Sequence, residues 1–177
     1  MSAAPVDRFM AWIASAEGAG LDRTYGDPGN WPSGKVGVGK LIGSKMGISA
    51  AAYPTLDIPS LTQSDIETLY RHDYLDKINF TSLPPMVAMI TADAAVNQGV
   101  STAAKILQES LNVTADGAIG PRTLAALVAR GKDTPALVVE IAARRALRYA
   151  QTGGLPEFGL GWFRRLEGVV KFSLETT

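Results

Sequence analysis

The stretch "PPMVAMITADAAVNQG", Pro84 to Gly99, is punctuated at both ends and apolar or small nearly throughout. Proline suits the first helical position, and glycine suits the position just past a helix end. A helix that is apolar on every side is buried on every side. The segment is therefore expected to be the central helix of a mainly α protein. Two polar residues in it, Asp93 and Asn97, are four apart and share a helical face.

Helical signals continue downstream. "STAAKILQESLN" reads as a helix capped by Ser101, and Asp116–Gly117 as a turn. Gly120–Pro121 opens "PRTLAALVARG", and Thr134–Pro135 opens "PALVVEIAARRALRYAQTGG". "TGGLPEFG" reads as a loop. "GWFRRLEGVVKFSL" places Trp162, Phe163, Leu166, Val169, Val170 and Leu174 on one face.

Upstream, "LTQSDIETLYRHDYLDKI" reads as one helix capped by Thr62, with Asp65 completing a capping box. Pro5 opens the first helix, and Val6, Phe9, Met10 and Ile13 recur at helical spacing. Glu17 continues that stripe four residues past Ile13, and Gly18 follows as a stop. Residues 18–47 hold half of the chain's 18 glycines, so a loop region is expected there. Within it "KVGVGKLIG" alternates weakly, which predicts a short β-hairpin. No low-complexity segment or fixed-period repeat is present. The fold class is mainly α, with a small β-hairpin and loop region after the first helix.

Bulk properties remove many functions. The chain has 177 residues, no cysteine and one histidine. That excludes disulfides and thiol nucleophiles, and it leaves a catalytic zinc site without its usual ligands. His72 lies in the polar "YRHDY" and is read as a surface or packing residue rather than part of a triad. "GKVGVGK" lacks the Walker spacing. No cofactor or metal is expected. No apolar run reaches the roughly 18 residues of a membrane span, so no stable membrane insertion is expected. The N-terminus lacks a basic region before its apolar part, so no signal peptide is expected. Net charge is zero, but residues 1–119 carry −4 and residues 120–177 carry +4. Arg144, Arg145 and Arg148 follow one another around a helix. They could meet an anionic partner or simply be solvated. Nucleic-acid binding through "DGAIGPRTLAAL" is not expected without a basic stripe.

Carboxylate chemistry remains. On an apolar stripe Glu17 would be partly desolvated, and it would face the negative end of a helix. Both effects raise a carboxyl pKa, as a general acid needs. The alternative is an exposed residue on a frayed turn.

The order "EG", "YGDPG", "SGKVGVG" resembles phage-type lysozymes, with Glu17, Asp27, Ser33 and the Gly37–Gly39 segment as counterparts. Together with "DPGNW", "GSKMGIS", "YPTLDI", "LTQSDIETLYRHDY", "DAAVNQG" and "LQESLNVTADGAIGPRTLAAL", it resembles glycoside hydrolase family 108 from about Phe9 to about Leu166. The chain departs from that pattern in reading Glu17-Gly18-Ala19, in a longer spacing to Asp27, and in an insertion from about Asn30 to Leu41.

The resemblance implies a lysozyme-like fold, with a catalytic region over 1–92 and a helical peptidoglycan-binding region over 93–177 in the same globular unit. It implies a β-1,4-N-acetylmuramidase of the phage endolysin type, with Glu17 protonating the glycosidic oxygen. Asp27 is the second catalytic candidate, with a turn-forming role as its alternative. Tyr25, Trp31, Ser44, Asp93 and Asn97 are candidate substrate contacts. Asp93 and Asn97 are read first as buried polar groups that fix the helix, with contact to sugar amides as the alternative. A lytic transglycosylase and a non-catalytic wall binder remain alternatives. The expected partner is the peptidoglycan glycan strand and the expected state a monomer. The expected site of action is the periplasmic wall, reached from the cytoplasm through a holin-type or dedicated export route.

Overall fold

The computed structural model describes residues 5–176. They form seven α-helices: α1 (Pro5–Glu17), α2 (Gln63–Tyr70), α3 (Pro85–Gln98), α4 (Val100–Ser110), α5 (Pro121–Arg130), α6 (Thr134–Ala150) and α7 (Leu155–Leu174). Three two-residue strands, β1 (Leu21–Asp22), β2 (Ser44–Lys45) and β3 (Ile48–Ser49), make an antiparallel sheet in the order β1-β2-β3. The architecture is mainly α, as the sequence pattern implies. Contacts divide the chain into two compact units, Val6–Tyr70 and the chain from Arg71 onward.

In the first unit, α1 buries Val6, Phe9, Met10 and Ile13, the stripe expected of it. Each such side chain taken from water contributes about 1.5–3 kcal/mol. The N-terminus of α2 carries the anticipated capping box. Thr62 Oγ1 accepts from the Asp65 backbone N–H at 3.2 Å, and the Asp65 carboxylate accepts from the Thr62 N–H at 2.8 Å. The sheet differs from expectation. Residues 35–40 form turns and bends without strand pairing, and the hairpin lies later, across β2 and β3. The alternation in "KVGVGK" rests on two valines alone, and Val36 and Val38 are both exposed. Without a buried face, alternation has no packing to enforce it.

In the second unit, α3 fills the centre. Val87 to Ala95 are buried without interruption, and α3 packs against α4, α6 and α7. It ends at Gly99, as anticipated. Three boundaries differ from the sequence reading. The helix expected to run through "YRHDYLDKI" leaves α-geometry at Arg71, passes through a π turn to Leu75 and a 3-10 turn to Ile78, and reverses at Asn79 with φ of 52°. Helix α4 starts at Val100, so Ser101 lies inside it rather than capping it. Helix α7 starts at Leu155, taking in most of the segment read as a loop, because Pro156 sits in the first turn where no intrahelical donor is needed. Its buried stripe runs through Gly159, Leu166, Val169 and Ser173, while Phe163 and Leu174 remain exposed.

Candidate active site

Glu17 is the last residue of α1, and it is exposed. The apolar stripe stops at Ile13, so the burial anticipated for Glu17 is not found. Its neighbour is the two-residue turn of the β2–β3 hairpin. Met46 and Gly47 have φ of 48° and 76°, the positive sign that a type I′ turn demands of both central residues. A Cβ on Gly47 would stand 3.4 Å from Glu17 Cγ and Cδ, and 2.8 Å from the Tyr70 hydroxyl. Glycine is required there twice over, by its dihedral angle and by the lack of room. Tyr70 is buried and donates its hydroxyl proton to the Met46 carbonyl at 2.7 Å. The turn beside Glu17 is thus held from below by a core residue of α2.

The loop after Glu17 is organised by Asn30, which the sequence reading did not single out. It is fully buried. Its side-chain amide donates to the Asp22 carboxylate at 3.2 Å and to the Thr24 carbonyl at 3.1 Å. Its backbone carbonyl accepts from Ile42 N at 3.1 Å and Gly43 N at 3.0 Å. The insertion is therefore closed at its base by one residue, and a buried backbone group is satisfied at the same time. Gly43, φ 112°, belongs to this closure. A Cβ there would lie 2.5 Å from the Asp22 carbonyl oxygen.

Two carboxylates sit on this loop. Asp27 caps the 3-10 turn Pro28–Asn30, accepting from Gly29 N at 2.7 Å with one oxygen. Asp22, also missed in the sequence, uses both oxygens. One accepts from Thr24 Oγ1 at 2.7 Å and Thr24 N at 2.9 Å, and the other from Asn30. These bonds, the Thr24 hydroxyl foremost, hold the Asp22 carboxyl below its ordinary range. Register places Asp22 opposite Ser44 in the sheet. So the structure sets Ser44 across from Asp22, and sets the hairpin that carries Ser44 against Glu17. Ser33 lies outside this arrangement, its hydroxyl taken by the carbonyls of Val38 and Lys35. Gly37 and Gly39 lie in turns, not in a hairpin.

Tyr25 is 63% exposed and Trp31 only 5%. The two rings meet edge-on at 5.3 Å, and Trp31 Nε1 donates to the Tyr25 carbonyl at 3.1 Å. Trp31 thereby fixes both the backbone and the ring of the exposed tyrosine.

In the second unit, Asp93 is fully buried. One oxygen meets Arg145 at 2.8 Å, and the other meets Arg165 Nε at 2.9 Å. Arg145 is itself completely buried, so of the three arginines that follow one another around this helix it faces neither solvent nor an anionic partner. Arg144 and Arg148 are partly exposed and bonded to Glu140 and Glu109. Asn97 accepts from the Tyr149 hydroxyl. His72 is exposed and contacts Asp73. Among the described residues no cluster of potential ligands that could hold a metal is found, and no helix is long and apolar enough to cross a membrane.

Seven helices with a small three-stranded sheet are consistent with a lysozyme-like fold. The solved structure of Brucella abortus SagA is similar, with a TM-score of 0.78 and 28% identity over 96% of this chain and 93% of that one. A search of curated protein sequences gives no match. The glycosyl hydrolase 108 family model matches residues 10–99, and a predicted peptidoglycan domain matches residues 102–167. The chain belongs to the glycosyl hydrolase 108 family, and it is a glycoside hydrolase that acts on peptidoglycan.

Proposed function

We propose that the chain is a β-1,4-N-acetylmuramidase that hydrolyses the bond between N-acetylmuramic acid and N-acetylglucosamine, with Glu17 as general acid. The observation that supports this most is the placement of Glu17. It ends a helix in the open, against a turn that a core tyrosine holds and that glycine alone permits. An exposed acid is accessible to a glycan. A general acid must stand within reach of the glycosidic oxygen that it protonates, and exposure at a helix end allows that approach.

Asp27 is the second carboxylate of this reading. Both oxygens of Asp22 are engaged, whereas Asp27 keeps one oxygen without a partner among the described residues. That oxygen can face the positive charge that develops on the sugar, or orient the attacking water. Tyr25 offers a ring for a sugar face, with Trp31 behind it and Ser44 contributing a hydroxyl. Asn97 contacts the wall polymer through its amide, and Asp93 acts at one remove by fixing Arg145. The enzyme works as a monomer on the periplasmic wall, and an endolysin role in host lysis fits this activity.

The test is the product. Purified peptidoglycan digested in ¹⁸O-water is expected to release fragments with reducing N-acetylmuramic acid ends that carry the label. Unlabelled 1,6-anhydro ends would make the enzyme a lytic transglycosylase, and reducing N-acetylglucosamine ends would make it a glucosaminidase.

A further inference from the structure

The chain from Arg71 onward contains a cavity of about 300 Å³, lined by the end of α3, the start of α4, the last turn of α6 with Thr152 beyond it, and the middle of α7. Its lining includes one charged side chain, Arg148, and no carboxylate. Tyr149 and Trp162 stack at 5.2 Å and supply an apolar wall.

The buried Arg145 decides what this cavity offers. A guanidinium donates hydrogen bonds and accepts none. Arg145 Nε lies 2.9 Å from Gln98 Oε1, so that amide must turn its oxygen toward the arginine. Arg145 Nη2 donates to the Tyr149 hydroxyl at 3.3 Å, and that hydroxyl gives its own proton to Asn97 Oδ1. Both carboxamides thus direct their oxygens to the Arg145 network and keep their NH₂ groups for another partner. Neither NH₂ group, nor the Thr102 hydroxyl, has a side-chain partner among the described residues. Arg148 gives one N–H to Glu109 at 3.2 Å and retains others.

A site so rich in donors selects a group that only accepts. Sugar hydroxyls donate as well as accept, whereas an ionised carboxylate has acceptor sites alone and pairs with a guanidinium through charge-assisted bonds. We propose that this cavity binds a carboxylate of the peptide stem of peptidoglycan, with Arg148 as its counter-charge and Asn97 and Gln98 as donors. Arg145 is a positioning residue that sets the direction of the amides. The proposal rests on the reading of peptidoglycan as the substrate, but it does not depend on Glu17 or on which glycosidic bond is cut.

Calorimetric titration of the full chain with a synthetic stem tetrapeptide tests it, because the peptide contains no glycosidic bond. The free-acid peptide is expected to bind, and the same peptide with its carboxylates amidated to bind at least about tenfold more weakly. Arg148→Gln should weaken the free-acid peptide by a similar factor. Asn97→Asp keeps the bond from Tyr149 but replaces the NH₂ donor with a charged oxygen, and should do the same. Each variant is to be compared at a temperature well below its own melting point, so that only folded protein is titrated. Equal binding of the amidated peptide, unchanged binding by Arg148→Gln, or displacement of the peptide by N-acetylglucosamine oligomers would each overturn the assignment. Loss of lysis in Glu17→Gln with peptide binding intact leaves both readings standing. Normal lysis in that variant removes only the acid.

Discussion

The two units place their acids in opposite surroundings. In Val6–Tyr70 the carboxylates that matter, Glu17, Asp22 and Asp27, are exposed and are positioned by turns, glycines and short hydrogen bonds. From Arg71 onward the acid that matters, Asp93, is wholly buried between two guanidinium groups and belongs to a helical core. One unit keeps its acids accessible on loops that a small core and the buried Asn30 steady. The other uses polar groups to fix how helices pack. Chemistry on a substrate requires the first arrangement, since loops on a rigid scaffold can approach a ligand. A buried charge network can at most act through what it orients.

The contrast predicts separable phenotypes, and the largest is at Glu17. Glu17→Gln keeps shape and removes the proton. Wall-lytic activity should fall by about 10²–10⁴, the scale of losing a general acid, with the melting temperature unchanged because the side chain is exposed. A variant that lyses walls at the normal rate, or that fails to fold, breaks the assignment.

Asp93→Ala should show the inverse pattern. Removing one partner from a buried ion pair leaves uncompensated charge and costs about 3–5 kcal/mol. For a chain of this size that lowers the melting temperature by on the order of 10 °C. Activity measured well below the transition should follow the fraction folded. Loss of activity in a protein of normal melting temperature would instead bring Asp93 into contact with substrate.

Asp27→Asn lies between these. The asparagine oxygen can still accept from Gly29 N, so the 3-10 turn should survive. If the second oxygen faces the reacting sugar, activity should fall at least about tenfold with little change in melting temperature. A lower melting temperature with activity in proportion would make Asp27 a turn cap alone.

These contrasts follow how legible each region is in the sequence. Helix α3 is legible because it is apolar on all sides and bounded by Pro85 and Gly99, and α2 because Thr62 and Asp65 have the spacing of a capping box. The position of Glu17 is legible as the one acid in register with an apolar stripe, just before a glycine stop. Its exposure is not, because periodicity gives a direction and no depth at a helix end. The sheet is hidden because its strands have two residues each, and β1 pairs with β2 across the whole insertion. Asn30 is hidden because it works through backbone groups far along the chain. Arg145 left a signal that was passed over. It falls on the stripe Leu137, Val138, Ile141, Tyr149 at helical spacing, although its neighbour Arg144 made the pair read as surface. A charged residue in register with an apolar stripe calls for a buried partner, and Asp93 is one.

The smallest expected effect concerns acid. Asp22 and Asp65 in the first unit and Asp116 in the second are held below their ordinary value of 3.8. The first causes are the side-chain bonds from Thr24 and Thr62, and for Asp116 the Ala118 backbone N–H. A carboxyl whose folded pKa is depressed stabilises the fold above its unfolded pKa, and that contribution is lost as pH falls through the folded value. Stability from these three groups should therefore be constant at neutral pH and decline only below about pH 4. Thr24→Val sharpens the point, because it removes the hydroxyl that acts most strongly on Asp22 and leaves the backbone bond in place. The Asp22 carboxyl resonance, followed by ¹³C NMR, should then titrate closer to 3.8 than in the parent chain, while Asp65 and Asp116 titrate as before. An unmoved Asp22 midpoint would mean that Asn30 and the Thr24 backbone alone define the loop. A shift at Asp65 as well would show that the first unit's loops respond as one body rather than as separate turns.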